Sequence, residues 1–229
     1  MNLKSQGGLT AADIPWKQID TVLLDMDGTL LDLNYDNHVW NHLLPLAYAE
    51  TQQMDPVIAR ETLFEHMLAI RGTMAFYTIA YWSDYTGVDL ISLHQQAKHL
   101  VALRPGAGAF LSWLASTEKQ SFLATNADRA SVDIKQTQVD LTTMLTGVVS
   151  SHDYGYPKED PLFWYDLQNA LAYDPSRTLF IDDNEPVLDA AEAAQIEFLV
   201  CVTRPDSNRP SRSELRYPAF DHFQEIYVA

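Results

Sequence analysis

The sequence predicts an α/β fold in which a parallel β-sheet carries helices on both faces. Short apolar runs alternate with helical patterns of about ten residues, which is typical of consecutive β-α-β units. Several of the runs end abruptly in polar residues, as buried strands do at the carboxyl edge of a parallel sheet. Residues 35–100 depart from this alternation and have helical periodicity throughout. We therefore expect an α/β core that is interrupted by an all-helical insertion.

The strand candidates are short apolar runs bounded by polar residues. The clearest three are residues 21–24, 121–126 and 178–183, and two weaker candidates are residues 147–150 and 197–202. The helical patterns between them cover residues 105–114, 129–139, 162–171 and 185–194. Before the third helix, Asp160 is a good N-cap and Pro161 suits the first turn. Each helical pattern lies between two strand candidates, which favours a parallel sheet.

The insertion contains helix starts of its own. Asp89 is a plausible N-cap for a helix whose apolar residues recur at three- and four-residue steps. Asp55 precedes a proline and opens another helix, whose predicted apolar face consists of Phe64, Met67 and Leu68. We therefore divide the chain into a core, residues 1–34 and 101–229, and a helical cap, residues 35–100.

Composition and charge exclude several classes of function. The 229 residues include 31 Asp and Glu but 15 Lys and Arg, so the formal net charge is −16. Such an acidic chain repels nucleic-acid backbones and anionic membrane surfaces, and we expect neither as a partner. The hydrophobic fraction of 47% indicates a globular chain rather than a disordered one. The oligomeric state is left open by the sequence.

Cysteine content and the N-terminal sequence bear on the cellular compartment. Cys201 is the single cysteine, so the chain cannot form an internal disulfide, and its apolar neighbours indicate a buried, unreactive thiol. Residues 1–8 lack the apolar stretch of a signal peptide, and no apolar run approaches the length that spans a bilayer. We therefore expect a cytoplasmic protein.

Polar side chains follow the strand candidates in four separate segments. They are Asp25 and Asp27, Thr125 and Asn126, Lys158, and Asp182 and Asp183. Ligands of open parallel sheets bind beyond the carboxyl ends of the strands, so we expect these segments to converge on one site. Carboxylates gathered there repel one another unless a cation joins them, and oxygen ligands favour Mg²⁺ over zinc. With Lys158, such a site suits a phosphoryl group.

The spacing of Asp25 and Asp27 has a chemical meaning of its own. Residues two apart in an extended segment face the same side, so both carboxylates can address one reacting centre. One can attack phosphorus as a nucleophile, while the other protonates the leaving oxygen and later activates water. A strand-ending Asp-Gly turn is the alternative interpretation, and the three partner segments favour catalysis over it.

Four segments, in this order, resemble the motifs of the haloacid dehalogenase (HAD) superfamily. Residues 25–32, Asp-Met-Asp-Gly-Thr-Leu-Leu-Asp, match its first motif, DxDGTL. Thr125-Asn126 resembles the second motif, Lys158 the third and Ile181-Asp-Asp-Asn184 the fourth. Residues 19–33, 155–160 and 177–183 are similar to the bacterial GMP/IMP nucleotidase group within that superfamily. The resemblance implies a Rossmann-like core with the helical insertion as the family's cap.

The resemblance also implies a role for each catalytic candidate. Asp25 is expected to attack phosphorus and form an aspartyl-phosphate, and Asp27 to act as general acid and base. Thr125 and the Asn126 amide are expected to hold the phosphoryl oxygens. Lys158 is expected to offset negative charge on Asp25 and on the phosphate.

The resemblance also implies that four aspartates form a metal site. By this resemblance, Asp25 is expected to bind Mg²⁺ through its carboxylate and Asp27 through its backbone carbonyl. Asp183 aligns with the family's direct ligand and Asp182 with an outer-sphere partner, although the reverse assignment stays open. The cofactor that we expect is therefore Mg²⁺.

The implied function is Mg²⁺-dependent hydrolysis of a small phosphomonoester, most closely a purine nucleoside 5′-monophosphate such as GMP or IMP. One alternative is a phosphatase or mutase for another metabolite, such as a sugar phosphate. Asp27 disfavours a dehalogenase, because a halide leaving group needs no acid. The alternative from a different class is a catalytically idle domain that serves as an interaction module.

Histidine and aromatic residues in the insertion raise two further possibilities. His38 and His42 are four residues apart and could place two imidazoles on one helix face for zinc. No third ligand is evident, which favours histidines that pack within the insertion or face solvent. The aromatic residues of the insertion are expected to pack between helices, with one or two stacking on a purine base: Trp40, Phe76, Tyr77, Tyr81, Trp82 and Tyr85.

Overall fold

A computed structural model describes residues 9–228 of the chain. Residues 1–8, for which the sequence predicts no signal peptide, and residue 229 lie outside the described residues. Six strands of the described region form one parallel sheet in the order β3-β2-β1-β4-β5-β6. They are β1 (Thr21–Leu24), β2 (Gln120–Thr125), β3 (Gly147–Ser150), β4 (Thr178–Asp182), β5 (Phe198–Val202) and β6 (Ala219–Phe220). The prediction of a parallel α/β sheet is confirmed.

Five α-helices lie between β1 and the first core helix. They are α1 (Asn34–His38), α2 (Leu44–Gln52), α3 (Pro56–Ile70), α4 (Ile79–Thr86) and α5 (Leu90–Ala97), with a π-helical segment, Val39–Leu43, between α1 and α2. The core helices are α6 (Ala107–Ala115), α7 (Arg129–Gln136), α8 (Pro161–Leu171) and α9 (Glu185–Ala193). Short 3₁₀ turns include Met74–Tyr77, directly before α4.

The sheet is covered by helices on both faces, which explains its apolar strands. Every residue of β1, β4 and β5 is buried. Leu24 belongs to the apolar cluster that contains Phe110 of α6, whereas its neighbour Leu23 belongs to the cluster that contains Trp164 of α8. This alternation is the period-2 geometry of a strand between two layers.

The helical insertion has an apolar cluster of its own, formed chiefly by α2, α3 and α4. The predicted N-caps are confirmed. The Asp55 carboxylate accepts a hydrogen bond from the Val57 N–H at 2.8 Å, and the Asp89 carboxylate accepts one from the Ser92 N–H at 3.0 Å. The boundaries proposed for the core and the cap stay a prediction.

The predicted apolar face of α3 is wrong. Ala59 and Leu63 are the buried residues of this helix, whereas Phe64 is 59% exposed and Leu68 is 56% exposed. Met67 packs at the margin of the insertion's cluster. Phe64, Met67 and Leu68 line a cavity rather than the packed interior of the insertion. Their apolar side chains therefore form part of a concave surface.

Strand β6 is not predictable from the sequence, because its two residues are too few for a detectable alternation. Cys201, in β5, is a buried free thiol, and burial raises its pKa to about 12, as expected for an unreactive cysteine. No helix in the described range of 9 to 228 has the length and apolarity to cross a bilayer.

Candidate active site

The predicted site residues meet at the carboxyl edge of three neighbouring strands. β1 lies between β2 and β4, and Leu24 is in register with Leu123 and with Ile181. Asp25, the residue after β1, donates its backbone N–H to the Ile181 carbonyl at 2.9 Å. Asp25 therefore comes next to Asp182, which ends β4, although the two are far apart in sequence.

Lys158 lies between these two aspartates. Its Nζ donates to Asp25 Oδ1 at 2.5 Å, to Asp182 Oδ2 at 2.7 Å and to the Ala124 carbonyl at 3.0 Å. Its side chain is 2% exposed. Burial opposes the charge of this lysine, but the Asp182 and Asp25 carboxylates outweigh burial and raise its pKa above the usual value. Lys158 is thus a fixed cation at the centre of the site.

The backbone of Lys158 is held as firmly as its ammonium group. Its N–H donates to Asn126 Oδ1 at 2.8 Å, and its carbonyl accepts from Trp164 Nε1 at 2.7 Å. Both partners are buried. The loop that carries Lys158 is therefore anchored to the end of β2 through Asn126 and to α8 through Trp164.

Asp183 completes a cluster of three carboxylates with Asp25 and Asp182. One carboxylate oxygen from each lies within 4.8 Å of the others. Asp182 Oδ1 accepts from the Asn184 N–H at 2.8 Å, so both oxygens of Asp182 are engaged. The Asp183 carboxylate accepts no hydrogen bond from any residue between 9 and 228, and it packs against Gly28.

The cluster carries more negative charge than its lysine can neutralise. Three carboxylates surround one ammonium group, and burial raises the pKa of Asp25 to about 7, of Asp182 to about 6 and of Asp183 to about 7. The ionised carboxylates raise one another's pKa further, while Lys158 opposes the rise. A divalent cation relieves this repulsion, and an all-oxygen donor set matches Mg²⁺ chemically. The residues present therefore fit such an ion.

Asp27 lies apart from this cluster and is paired with a different lysine. Lys135 Nζ of α7 is 2.7 Å from Asp27 Oδ1, an ion pair without hydrogen-bond geometry, and donates to Asp36 Oδ1 at 2.8 Å. Burial raises the pKa of the Asp27 carboxyl to about 6, and the Asp36 carboxylate adds to this while Lys135 opposes it. Asp27 is therefore a carboxyl group poised to exchange a proton near neutral pH.

Thr125 is the last residue of β2, and Asn126 follows it, so both lie beside Asp25 at the sheet edge. Both residues are buried. Thr125 Oγ1 accepts from the Ala127 N–H at 3.0 Å, which leaves its hydroxyl proton for a ligand. The Asn126 side chain is used internally, because its Nδ2 donates to Glu159 Oε2 at 2.9 Å while its Oδ1 holds Lys158. Asn126 thus positions the lysine loop.

The insertion contacts the loop that carries Lys158 and two other segments of the core. Tyr77 OH donates to Glu159 Oε1 at 2.5 Å, the Thr78 hydroxyl lies 2.9 Å from His152 Nε2, and the Ile79 N–H donates to Asp128 Oδ2 at 2.7 Å. These three consecutive residues attach the insertion to the core beside the candidate site.

A central cavity of about 520 Å³ lies between the sheet edge and the insertion. Asp25, Asp27, Thr125, Asn126, Lys158, Asp182 and Asp183 all line it, so the structure brings every predicted site residue together. On the opposite side, α3 and the turn before α4 contribute apolar and aromatic residues: Phe64, Met67, Leu68, Phe76 and Tyr77. The volume is that of a small-molecule site.

Three features of the site were absent from the sequence interpretation. Lys135 has a sequence signal, because it occupies the buried face of α7 near Val132, where a lysine is unexpected. Arg212 donates from Nη2 to the Asp183 carbonyl at 2.7 Å, and the Tyr77–Glu159 contact joins the insertion to the core. Neither of the latter two has a local sequence signal.

Comparisons with known proteins agree with this geometry. Residues 19–195 match the family model described as haloacid dehalogenase-like hydrolase. The GMP/IMP nucleotidase YrfG of Escherichia coli (strain K12) is 35% identical to this chain over 214 residues, which cover 93% of this chain and 96% of that protein. The protein of the same name from Shigella flexneri has the same identity and coverage. The fold is similar to that of a HAD phosphatase from Thermococcus onnurineus, known from a crystal structure, with a TM-score of 0.74. The match covers 89% of this chain and 94% of that one, at 18% sequence identity.

Proposed function

The chain belongs to the haloacid dehalogenase-like hydrolase family, and from this we propose that it is a Mg²⁺-dependent phosphatase for a purine nucleoside 5′-monophosphate such as GMP or IMP. The observation that carries the reaction type is Lys158, held between Asp25 and Asp182 with Asp183 in the same cluster. The substrate is supported by the 35% identity to proteins named GMP/IMP nucleotidase.

Asp25, Asp182, Asp183 and the backbone carbonyl of Asp27 are the groups that would hold Mg²⁺. Asp183 is the better candidate for direct ligation, because its carboxylate is free while both oxygens of Asp182 are engaged. When bound, Mg²⁺ neutralises charge on the carboxylates and on the phosphoryl oxygens.

The protein residues account for both halves of the reaction. An Asp25 carboxylate oxygen attacks phosphorus, the bond from phosphorus to the ester oxygen breaks, and Asp27 gives its proton to that oxygen. Water then attacks phosphorus in the aspartyl-phosphate, Asp27 takes a proton from the water, and the bond between phosphorus and Asp25 breaks. Lys158 and the Thr125 hydroxyl stabilise the charge on the phosphoryl oxygens. Asp25 and Asp27 end in their starting states.

Residues 35–100 act in this proposal as a cap over the core, which consists of residues 1–34 and 101–229. Phe64, Leu68 and Phe76 line the central cavity opposite the carboxylates and form an apolar wall that suits a purine ring. The buried thiol Cys201 fits a reducing compartment, and we place the enzyme in the cytoplasm.

A panel of phosphate monoesters tests the proposal. Phosphate release is measured with Mg²⁺, and with EDTA as the control, for GMP, IMP, AMP, pyrimidine nucleotides and sugar phosphates. The proposal requires Mg²⁺-dependent release with the highest kcat/KM for purine nucleotides. A sugar phosphate that is preferred by a wide margin would refute the substrate assignment while leaving the phosphatase assignment intact.

A further inference from the structure

A second cavity adjoins the central one. Its volume is about 460 Å³, large enough for a small organic molecule. It lies between α1, α3 and the loop at residues 206–209, and we call it the side cavity. A wall of five residues lines both cavities: Asn37, Trp40, Asn41, Phe64 and Met67. None of the carboxylates assigned to catalysis or metal binding lines the side cavity.

The side cavity is rich in basic groups, although the chain as a whole has a net charge of −16. Arg60, Arg209, His38 and His42 line it, and Asp206 is its one acidic residue. Asp206 is 5% exposed, and its Oδ2 accepts from Asn37 Nδ2 at 2.7 Å and pairs with Arg209 Nε at 3.3 Å. The remaining basic groups therefore face the cavity without a balancing carboxylate.

Three of these basic side chains are available to a ligand. Arg60, His38 and His42 make no hydrogen bond or ion pair through their side chains with any residue from 9 to 228. The ring centroids of His38 and His42 lie 5.7 Å apart, with the ring planes tilted by 40°. A guanidinium group and two imidazoles are the donors that proteins use to bind phosphate oxygens.

The wall of the side cavity supplies an aromatic surface. Phe64 is 59% exposed, although it is a large apolar residue in a folded domain. With Trp40 and Met67 it provides an apolar surface on which a planar ring can pack. An unpaired guanidinium group and two imidazoles beside an aromatic wall match a molecule that combines an anionic group with an aromatic ring.

We propose that the side cavity is a second binding site, which takes an organic phosphate with an aromatic base, the chemical class of a nucleotide. The molecule bound there is separate from the substrate, because Arg60, Arg209 and the two histidines line the side cavity alone. Since both cavities share Trp40 and Phe64, a ligand in the side cavity also packs against the wall of the substrate site.

Equilibrium dialysis with labelled GMP counts the sites. The Asp25→Asn protein is used because it does not turn GMP over. We expect two GMP molecules per chain with Mg²⁺ and one with EDTA, because no carboxylate cluster lines the side cavity. Arg60→Gln is expected to weaken the EDTA-resistant site at least about tenfold, the loss of one charged hydrogen bond. Lys17→Gln removes an exposed lysine elsewhere and is expected to change neither site.

The other outcomes separate this inference from the proposed function. A single GMP that is weakened both by EDTA and by Arg60→Gln spans the two cavities and overturns the inference. One bound GMP whose affinity falls with EDTA but not with Arg60→Gln also overturns the inference. The inference is likewise overturned if no GMP binds. A single GMP that responds to Arg60→Gln alone supports the side cavity and refutes the nucleotidase proposal. Arg60 is exposed, so its substitution leaves the fold intact.

Discussion

Lys135 Nζ lies 2.7 Å from Asp27 Oδ1, and the same ammonium group donates to Asp36 at 2.8 Å. The lysine side chain is 1% exposed. Burial opposes its charge, but the Asp27 and Asp36 carboxylates raise its pKa above the usual value. The proposed general acid is therefore fixed by a buried cation that comes from α7, while the proposed nucleophile is fixed by Lys158.

Replacing Lys135 by Met is expected to lower kcat for GMP about 10- to 100-fold with little change in KM. Asp27 loses its orienting partner, and proton transfer to the leaving oxygen depends on that orientation. The kcat/KM for p-nitrophenyl phosphate, whose leaving group needs little protonation in the first half of the reaction, is expected to fall less than the kcat/KM for GMP. Steady-state kinetics on the two substrates measures the difference.

The stability of the same variant provides the control. Breaking a buried ion pair costs about 3–5 kcal/mol, so urea unfolding of Lys135→Met is expected to show a loss of that order. Lys135→Arg keeps the charge and should retain most of the stability. kcat/KM reports the formation of the aspartyl-phosphate, so an equal loss of kcat/KM on both substrates would show that Lys135 has a structural role alone.

The sequence predicted the residues at the edges of β1, β2 and β4, because each motif directly follows its own strand. Lys135 was not predicted, since its contact with Asp27 depends on which face of α7 is turned toward the sheet edge. The contact between Tyr77 and Glu159 joins the insertion to the core over 82 residues of sequence, and no local pattern encodes it.

Gly28→Ala is expected to raise the Mg²⁺ concentration needed for half-maximal activity at least about tenfold. Gly28 has φ +88°, and an added Cβ would lie 2.8 Å from Asp183 Cγ and 3.0 Å from Pro205 Cβ. The Asp183 carboxylate must then move, which is expected to weaken the binding of Mg²⁺ by at least about 1.4 kcal/mol. A titration of activity against Mg²⁺ gives the value.

Gly155→Ala is the matched control. Gly155 has φ +79°, so the substitution brings the same kind of backbone strain, about 1–2 kcal/mol. Nothing lies within 4 Å of its added Cβ, so the Mg²⁺ requirement should not change. An unchanged Mg²⁺ titration for Gly28→Ala would argue against Asp183 as a direct ligand.

Tyr77→Phe is expected to lower kcat/KM for GMP about tenfold. The substitution removes the hydrogen bond to Glu159, which in turn holds Asn126 beside Lys158. A hydrogen bond to a charged group contributes about 1.5–3 kcal/mol, and here it joins the insertion to the loop that carries Lys158. Tyr165→Phe removes a hydroxyl from an exposed tyrosine, 65% accessible, and should leave kcat/KM unchanged. Equal effects of the two substitutions would contradict this role for Tyr77.

His94 is expected to make stability depend on pH. Burial lowers its pKa from 6.5 to about 4, and Lys135 adds to the shift. Between those pH values the unfolded chain binds a proton that the folded chain does not, so stability is full above pH 6.5 and is lost as pH falls toward 4. The loss from this residue is on the order of 3 kcal/mol.

Urea unfolding of the wild type and of His94→Gln from pH 7 to pH 4 tests this dependence. The variant lacks the titrating imidazole, so its stability should fall less steeply than that of the wild type. Parallel profiles would mean that the pKa of His94 is the same in the folded and the unfolded chain, and would contradict the lowered value. Comparing the two profiles removes the contribution of the carboxylates that both proteins share.

Strands β1 to β5 and helices α6 to α9 could be predicted because each has a local apolar pattern, although the patterns of β3 and β5 are weaker and some helix ends differ by two or three residues. The face of α3 could not, because Phe64 and Leu68 line a cavity while the smaller Ala59 is buried. An apolar pattern identifies residues that avoid bulk water, but it does not distinguish a packed interior from a concave surface.

Phosphate release from GMP by Asp25→Asn, with Mg²⁺ present, tests the central claim most directly. The substitution removes the nucleophile with almost no change in size, and Asp84→Asn makes the same change at an exposed position. We expect Asp25→Asn to lose activity at least about a thousandfold while still unfolding in one cooperative transition, and Asp84→Asn to retain activity. Activity in Asp25→Asn close to that of the wild type would contradict the assignment of Asp25 as the nucleophile.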